Sequence, residues 1–229
     1  MIIISFKSIF SVQLIPKQLI KNMSIEKSYN FWAAQYDTNK NKTRDLDKLA
    51  TIKTLSKYNF NTVLELGCGT GKNTMWLLKK AQHIIGIDFS EEMLSIATKK
   101  VKSPKVIFKK ADLTKIWKIE NEFADLITSS LILEHIKELD FIFKQASKKL
   151  KPKGIFFICE LHPFKQYAGS KARYETENGT EELEVYTHNI SDFTNIALKN
   201  GFKLIELNEW FDELDQNEIP RLISFVFQK

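Results

Sequence analysis

The string Val63-Leu64-Glu65-Leu66-Gly67-Cys68-Gly69-Thr70-Gly71 restricts the possible folds of this chain more than any other part of it. A short apolar run with an acidic residue near its end reads as a buried strand, and it leads into a loop with glycines at alternate positions. Glycine lets a backbone turn sharply and approach a ligand with no Cβ in the way. The helix that follows presents unpaired N–H groups at its start, which favour an anionic group. The spacing is G-x-G-x-G. A dinucleotide fingerprint would need its third glycine at position 72, where Lys72 stands, and a phosphate-binding P-loop is not matched either.

The rest of the chain alternates in the same manner. Helices are expected over residues 25–35, 45–58, 73–80, 139–150 and 191–199, and a further one opens after Ser90, an N-cap followed by Glu91 and Glu92 in the first turn. For the last of them Ser191 or Asp192 is expected near the N-cap. Strands are expected over residues 62–66, 83–87, 106–109, 124–129, 155–160, 202–207 and 222–227, with a turn at Lys151-Pro152-Lys153-Gly154. Strands separated by helices imply an α/β protein with a mainly parallel sheet covered on both faces. Residues 162–188 interrupt the rhythm. Asn178-Gly179 between two polar runs signals a hairpin, read here as a flap over the carboxyl ends of the strands. Residues 23–229 are expected to form one domain, and residues 1–22, apolar and basic without an acidic residue, a dispensable extension.

Three carboxylates fall at neighbouring strand ends. Glu65 precedes the glycine loop. Asp88 closes the second strand about 20 residues on, where a carboxylate can accept both hydroxyls of a ribose. Asp112 follows the third strand and can accept an exocyclic adenine amine, while the Leu113 N–H can donate to a ring nitrogen. Together these loops address the amino acid, the sugar and the base of a single nucleoside.

In this order the motifs Glu65-Leu66-Gly67-Cys68-Gly69-Thr70-Gly71, Asp88, Ala111-Asp112-Leu113, Asp125-Leu126-Ile127-Thr128-Ser129-Ser130, Leu133-Glu134-His135-Ile136 and Leu150-Lys151-Pro152-Lys153-Gly154 resemble the class I S-adenosylmethionine (SAM)-dependent methyltransferases, specifically the bacterial small-molecule type. The resemblance runs from about Tyr29 to Phe227. It implies a Rossmann-like three-layer sandwich of seven strands in the order 3-2-1-4-5-7-6, the last strand antiparallel. It also implies SAM as cofactor, with contacts from Tyr36, Glu65, Gly67, Gly69, Asp88, Phe89, Asp112, Leu113 and Ser129. No metal is expected.

The acceptor is expected to be a small molecule methylated at oxygen or nitrogen. A nucleic-acid enzyme would often carry an Asn/Asp-Pro-Pro-aromatic motif after the fourth strand, where Ser129-Ser130-Leu131-Ile132 stands instead. The net charge of +6 is unevenly spread: residues 1–157 hold 27 Lys and Arg against 15 Asp and Glu, residues 158–229 hold 7 against 13. The basic residues are lysines scattered along helices, not arginine clusters interleaved with aromatics, so a nucleic-acid partner is not expected. No stretch is long enough to span a bilayer. Two cysteines fit buried thiols in a reducing, cytoplasmic setting, in a monomer or homodimer. Within the flap, Tyr167 and Arg173 are the expected acceptor contacts. The candidate bases are His162 and His135, followed by His188 and Glu160. Two other readings keep the cofactor loop: a non-catalytic SAM-binding module, and an NAD-dependent oxidoreductase, against which the glycine spacing argues.

Overall fold

The computed structural model describes residues 25–38, 40–176, 179–212 and 218–229; the expected extension 1–22 lies outside the described residues. The chain opens with helices α1 (Ile25–Tyr36) and α2 (Lys42–Leu55) and strand β1 (Thr62–Leu66). Helix α3 (Thr74–Leu77), β2 (His83–Asp88), α4 (Glu91–Lys100), β3 (Val106–Lys110) and β4 (Ala124–Ser130) follow. A 3-10 turn (Leu133–His135), α5 (Leu139–Lys149), β5 (Leu150–Leu161) and α6 (Pro163–Tyr167) lead to a hairpin of β6 (Arg173–Thr176) and β7 (Gly179–Glu182). The last elements are α7 (Ile190–Lys199), β8 (Lys203–Trp210) and β9 (Leu222–Gln228).

Seven strands form one sheet in the order β3-β2-β1-β4-β5-β9-β8, and β6-β7 stand apart. β1 through β5 pair in parallel, and β9 runs antiparallel to both β5 and β8. Numbered within the sheet alone, this is 3-2-1-4-5-7-6, as expected. Helices on both faces complete the three layers. One face buries Phe143 of α5 and Phe193 of α7 with Phe156, Phe202, Phe225 and Phe227. The other buries Ala50 and Leu55 of α2 and Leu77 of α3 against Val63, Leu126 and Phe157. Each such side chain removed from water contributes about 1.5–3 kcal/mol. Because both faces are covered, β1 is buried along its whole length, which explains its unbroken apolar reading apart from Glu65.

The differences from the sequence reading are local. The helix after the glycine loop keeps only Thr74–Leu77 as α-helix, and hydrogen-bonded turns carry the chain on to Ala81. Lys151-Pro152-Lys153-Gly154 lies within β5, with Lys153 at φ +64° and a register shift against β4 taking up the irregularity. The N-cap of α7 is Asn189, not Ser191 or Asp192; Asp192 instead accepts the Asn189 N–H at 2.7 Å, as in a reciprocal capping box. Ser90 caps α4 as expected, accepting the Met93 N–H at 3.1 Å.

Candidate cofactor and acceptor site

All three glycines of the loop after β1 have positive φ: +62° at Gly67, +51° at Gly69 and +76° at Gly71. That backbone disfavours any residue with a Cβ, which accounts for the alternate spacing. At Gly67 a Cβ would lie 2.4 Å from Cγ2 of Ile132, whereas at Gly69 it would meet nothing within 4 Å. One side of the loop is therefore closed by protein and the other opens to a cleft. Asp88, buried at the end of β2, accepts the Gly69 N–H at 2.9 Å and the Ser90 N–H at 2.9 Å, one on each oxygen. A carboxylate has about four lone-pair sites, so both oxygens retain room for a sugar hydroxyl.

The cleft beside the loop encloses about 540 Å³ including its open mouth, and Tyr36, Glu65, Gly67 and Gly69 line it. Glu65 is buried and accepts the Thr74 hydroxyl at 2.5 Å; burial, reinforced by Asp47 and Asp88, pushes its carboxyl up to about 8. Tyr36 closes α1 with its ring 4.3 Å beneath the Arg44 guanidinium and edge-on to Trp32, and burial pushes its phenol up to about 12. Asp37 ties this end of α1 to the loop by accepting the Thr70 hydroxyl at 2.8 Å.

Sequence reasoning missed the α2 wall of the cleft. Arg44, Asp47 and Thr51 line it together with Asn73 and Thr128. Asp47 accepts Asn73 Nδ2 at 3.0 Å, and the Asn73 Oδ1 and the hydroxyls of Thr51 and Thr128 are buried without a partner. The signal was present as polar residues at helical spacing on the buried face of α2, where apolar ones would be the default. Buried oxygens left unsatisfied beside a cleft mark a place that a polar ligand completes. Together with the buried acids Glu65, Asp47 and Asp88, this lining suits a cofactor carrying an ammonium and a sulfonium.

The remaining expected contacts are placed as follows. Ser129 is buried in β4 opposite Leu66, its hydroxyl unpartnered. Phe89 packs 5.7 Å from the ring of Tyr29. Asp112 is exposed after β3, where one oxygen accepts the Thr114 N–H at 2.8 Å and the Thr114 hydroxyl at 2.6 Å; Leu113 beside it is half-buried. These two positions do not line the cleft around Gly67.

Toward the hairpin, His135 is clasped between the Tyr29 hydroxyl and the Glu184 carbonyl, each 3.0 Å away, and burial lowers its pKa. His162 is fully buried. Its Nδ1 caps α6 by accepting the Phe164 N–H at 3.2 Å, and its Nε2 lies 3.1 Å from Glu209. His188 contacts the Ile136 carbonyl at 2.8 Å. Tyr167 is exposed and donates to Asn189 at 2.8 Å; Arg173, also exposed, starts the hairpin opposite Glu182. The hairpin's strands pair from Thr176–Gly179 outward, so β7 begins at Gly179. Leu183, just past β7, packs on Trp32 with Tyr29 and Tyr36 beside it, so the segment after the hairpin closes on α1.

Among the described residues no helix is long and apolar enough to cross a membrane, and no group of three His, Cys, Asp or Glu side chains is placed to hold a metal ion. Residues 64–158 match the model of a methyltransferase domain. The chain is 29% identical to the ubiquinone biosynthesis O-methyltransferase of Pelagibacter ubique over 64% of its own length and 63% of that protein's. It is 28% identical to phosphoethanolamine N-methyltransferase 2 of Caenorhabditis elegans over 72% of its own length and 40% of that protein's. It thus spans less than two thirds of either relative. A crystal structure from Listeria monocytogenes, named a "putative S-adenosylmethionine dependent methyltransferase", superposes with a TM-score of 0.71 at 26% identity, covering 81% of this chain and 99% of that one. With the glycine loop, the strand order and the acid-lined cleft in agreement, the chain carries a methyltransferase domain over residues 64–158 and has the fold of that SAM-dependent methyltransferase structure.

Proposed function

We propose that this chain transfers the methyl group of SAM to an oxygen or nitrogen atom of a small-molecule metabolite. The observation that carries the reading is the cleft beside the glycine loop. Tyr36 at the end of α1 lines it, and Trp32, Tyr29 and Leu183, the last from beyond the hairpin, pack with Tyr36, a setting suited to a metabolite. The relatives' names point the same way, one an O-methyltransferase and the other an N-methyltransferase of a small amine. The acidic stretch around the hairpin, including Glu181, Glu182 and Glu184, would repel a phosphate polymer. Free, buried Cys68 and Cys159 accord with a reducing, cytoplasmic location.

Bound SAM supplies an electrophilic methyl group on a sulfonium. The chain's residues bind and orient. Asp88 holds the sugar hydroxyls while pinning Gly69. Glu65 and Asp47 set buried carboxyls along the floor, and Tyr36 covers the site. Tyr167 and Arg173 on the acceptor side orient the incoming metabolite. His135, neutral and hydrogen-bonded to Tyr29, is placed to relay a proton from the acceptor toward the surface near Glu184.

Incubation with SAM and a metabolite library, monitored for S-adenosylhomocysteine (SAH) and a methylated small molecule, is expected to reveal a turned-over metabolite. Methylation of RNA, DNA or protein alone would overturn the reading. Asp88→Asn should weaken SAM binding about tenfold to 150-fold, the scale of about 1.5–3 kcal/mol for hydrogen bonds to a charged group. Calorimetry showing unchanged affinity would remove Asp88 from the site.

A further inference from the structure

The aromatic residues of α1 and the segment that follows the hairpin share a small apolar cluster of their own. Trp32 and Leu183 form it, with Tyr29, Tyr36 and Ala172 packed against them, apart from the two cores that cover the sheet. Leu183 is tied to the hairpin, since its N–H donates to the Ala172 carbonyl at 2.9 Å, and Arg173, an expected acceptor contact, directly follows Ala172. A second link runs through His135. The Glu184 carbonyl can only accept, so it takes the Nδ1 proton, and Nε2 accepts from the Tyr29 hydroxyl, each at 3.0 Å.

The other end of α1 is fastened to the cofactor loop. Thr70, between Gly69 and Gly71, is 1% exposed and donates its hydroxyl to Asp37 at 2.8 Å. Lys100, from the last turn of α4, donates to the other Asp37 oxygen at 2.5 Å and to the Thr70 hydroxyl at 3.2 Å. Just past the loop, Lys72 donates to the Arg44 carbonyl at 2.6 Å and to Asp45 at 3.1 Å, holding the start of α2. Midway along α1, Asn30 accepts the Ser90 hydroxyl at 2.6 Å, and the Ser90 N–H is itself on Asp88. Tyr36, Arg44, Thr70 and Lys72 all line the cleft.

α1 therefore touches both halves of the site while burying little of itself. Of its twelve residues only Ser28, Trp32 and Ala33 are buried. A helix with so few buried apolar residues, attached through side-chain hydrogen bonds, opens at a lower free energy than the sheet it lies on.

Resting on the cofactor reading above, we propose that α1 is a strap: SAM draws its carboxyl end onto the glycine loop, and the docked helix then fixes the hairpin segment that carries Arg173. Cofactor binds first and acceptor second. A ligand lying beside Gly69 gives Tyr36 a surface to cover, so it favours the docked position of α1 over the raised one. Docking brings Tyr29 to His135 and Trp32 to Leu183, and the effect reaches Ala172 and Arg173 through groups in direct contact. Coupling of this kind is reciprocal, so an acceptor held at the hairpin slows release of the cofactor.

Hydrogen–deuterium exchange of the full chain, alone and with SAM at about 100 times its Kd, tests the strap. A ligand that binds only the docked form lowers the opened fraction about a hundredfold, so amides of residues 25–37 and 179–188 should slow by up to that factor together with those of 67–71. Leu183→Ala should keep the SAM-dependent protection of 67–71 and 25–37 and remove that of 179–188. Trp32→Ala should also remove it at 179–188, and it carries the test if the first variant does not fold. Asp37→Ala cuts the ties to Thr70 and Lys100; it should weaken SAM binding about fivefold or more and lower the protection of both segments. Three results would overturn the proposal: protection confined to 67–71 in the wild-type chain, exchange at 25–37 and 179–188 unchanged by SAM that calorimetry shows to be bound, or protection of 179–188 persisting in a folded Leu183→Ala variant. Failure of the wild-type chain to bind SAM would instead overturn the cofactor reading, and this inference with it.

Discussion

Alanine at Gly67 is expected to damage the fold, and alanine at Gly69 to spare it, although both residues belong to one loop with nearly the same φ. At Gly67 the new Cβ would meet the Ile132 side chain at 2.4 Å for Cγ2 and 2.8 Å for Cδ1, and Ile132 is fixed by the hydrogen bond from its own N–H to Glu160. Left-handed strain of about 1–2 kcal/mol adds to an overpacking cost of about 1–3 kcal/mol. A total of about 2–5 kcal/mol in a chain of this size lowers the melting temperature by roughly 5–15 °C. Alanine at Gly69 carries only the backbone strain, about 1 kcal/mol, because its Cβ would project into open space. That space is the ligand's, so SAM affinity should fall at least about tenfold while the melting temperature moves by only a few degrees. Thermal denaturation with and without SAM measures both effects. Equal destabilisation by the two variants would show that the loop does not have one closed and one open side.

The ligand-free chain should lose stability as the pH rises above neutrality. Glu65 and Glu160 are pushed up to about 8 and Glu134 to about 7, in each case first by burial. The ordinary value, 4.5, applies once the chain unfolds. With folded values above unfolded ones, the native state holds more protons. The resulting stability is complete below the unfolded value and is lost as pH climbs through the folded ones. Each unit of difference is worth about 1.4 kcal/mol per group, so the loss from pH 6 to 8.5 is on the order of 5 kcal/mol. His135 and His162 act in the opposite sense. Burial lowers both, so their contribution is present above their unfolded value of 6.5 and fades on acidification. Maximum stability is therefore expected near pH 6, with a falling alkaline limb that Glu65→Gln and Glu160→Gln together flatten. A melting temperature constant between pH 6 and 8.5 would contradict the burial of these carboxyls.

What could be read from the linear chain was whatever depends on neighbours within a few residues. Strand and helix periodicity is local, and so are the Ser90 cap and the positive-φ requirement that spaces Gly67, Gly69 and Gly71. The strand order was implied by the family resemblance that the motif order carries, not by any local rule. Asp88 was recognisable because strand ends and loop starts coincide at fixed intervals in this architecture.

Tertiary structure alone decided which polar side chains are desolvated and whom they meet. Arg44, Asp47 and Thr51 look like an ordinary solvated helix face until α2 is laid against β1 and β4. His162 stands where a base could be, yet Glu209, contributed by a strand 47 residues away in sequence, and the end of α6 take up its ring nitrogens. Glu160 reads as one acidic residue at a strand end. It is pushed up to about 8 because burial, and then the charge of Glu134, outweigh the opposing hydrogen bonds from the N–H groups of Ile132 and Leu133. The sequence by itself therefore determined the alternation of strands and helices and the glycine loop, carried by short-range backbone geometry, and its motif order implied the cofactor through resemblance. The protonation states of the buried carboxyls were decided by burial and by contacts between distant segments, because the energy of a charge depends on its whole three-dimensional surroundings.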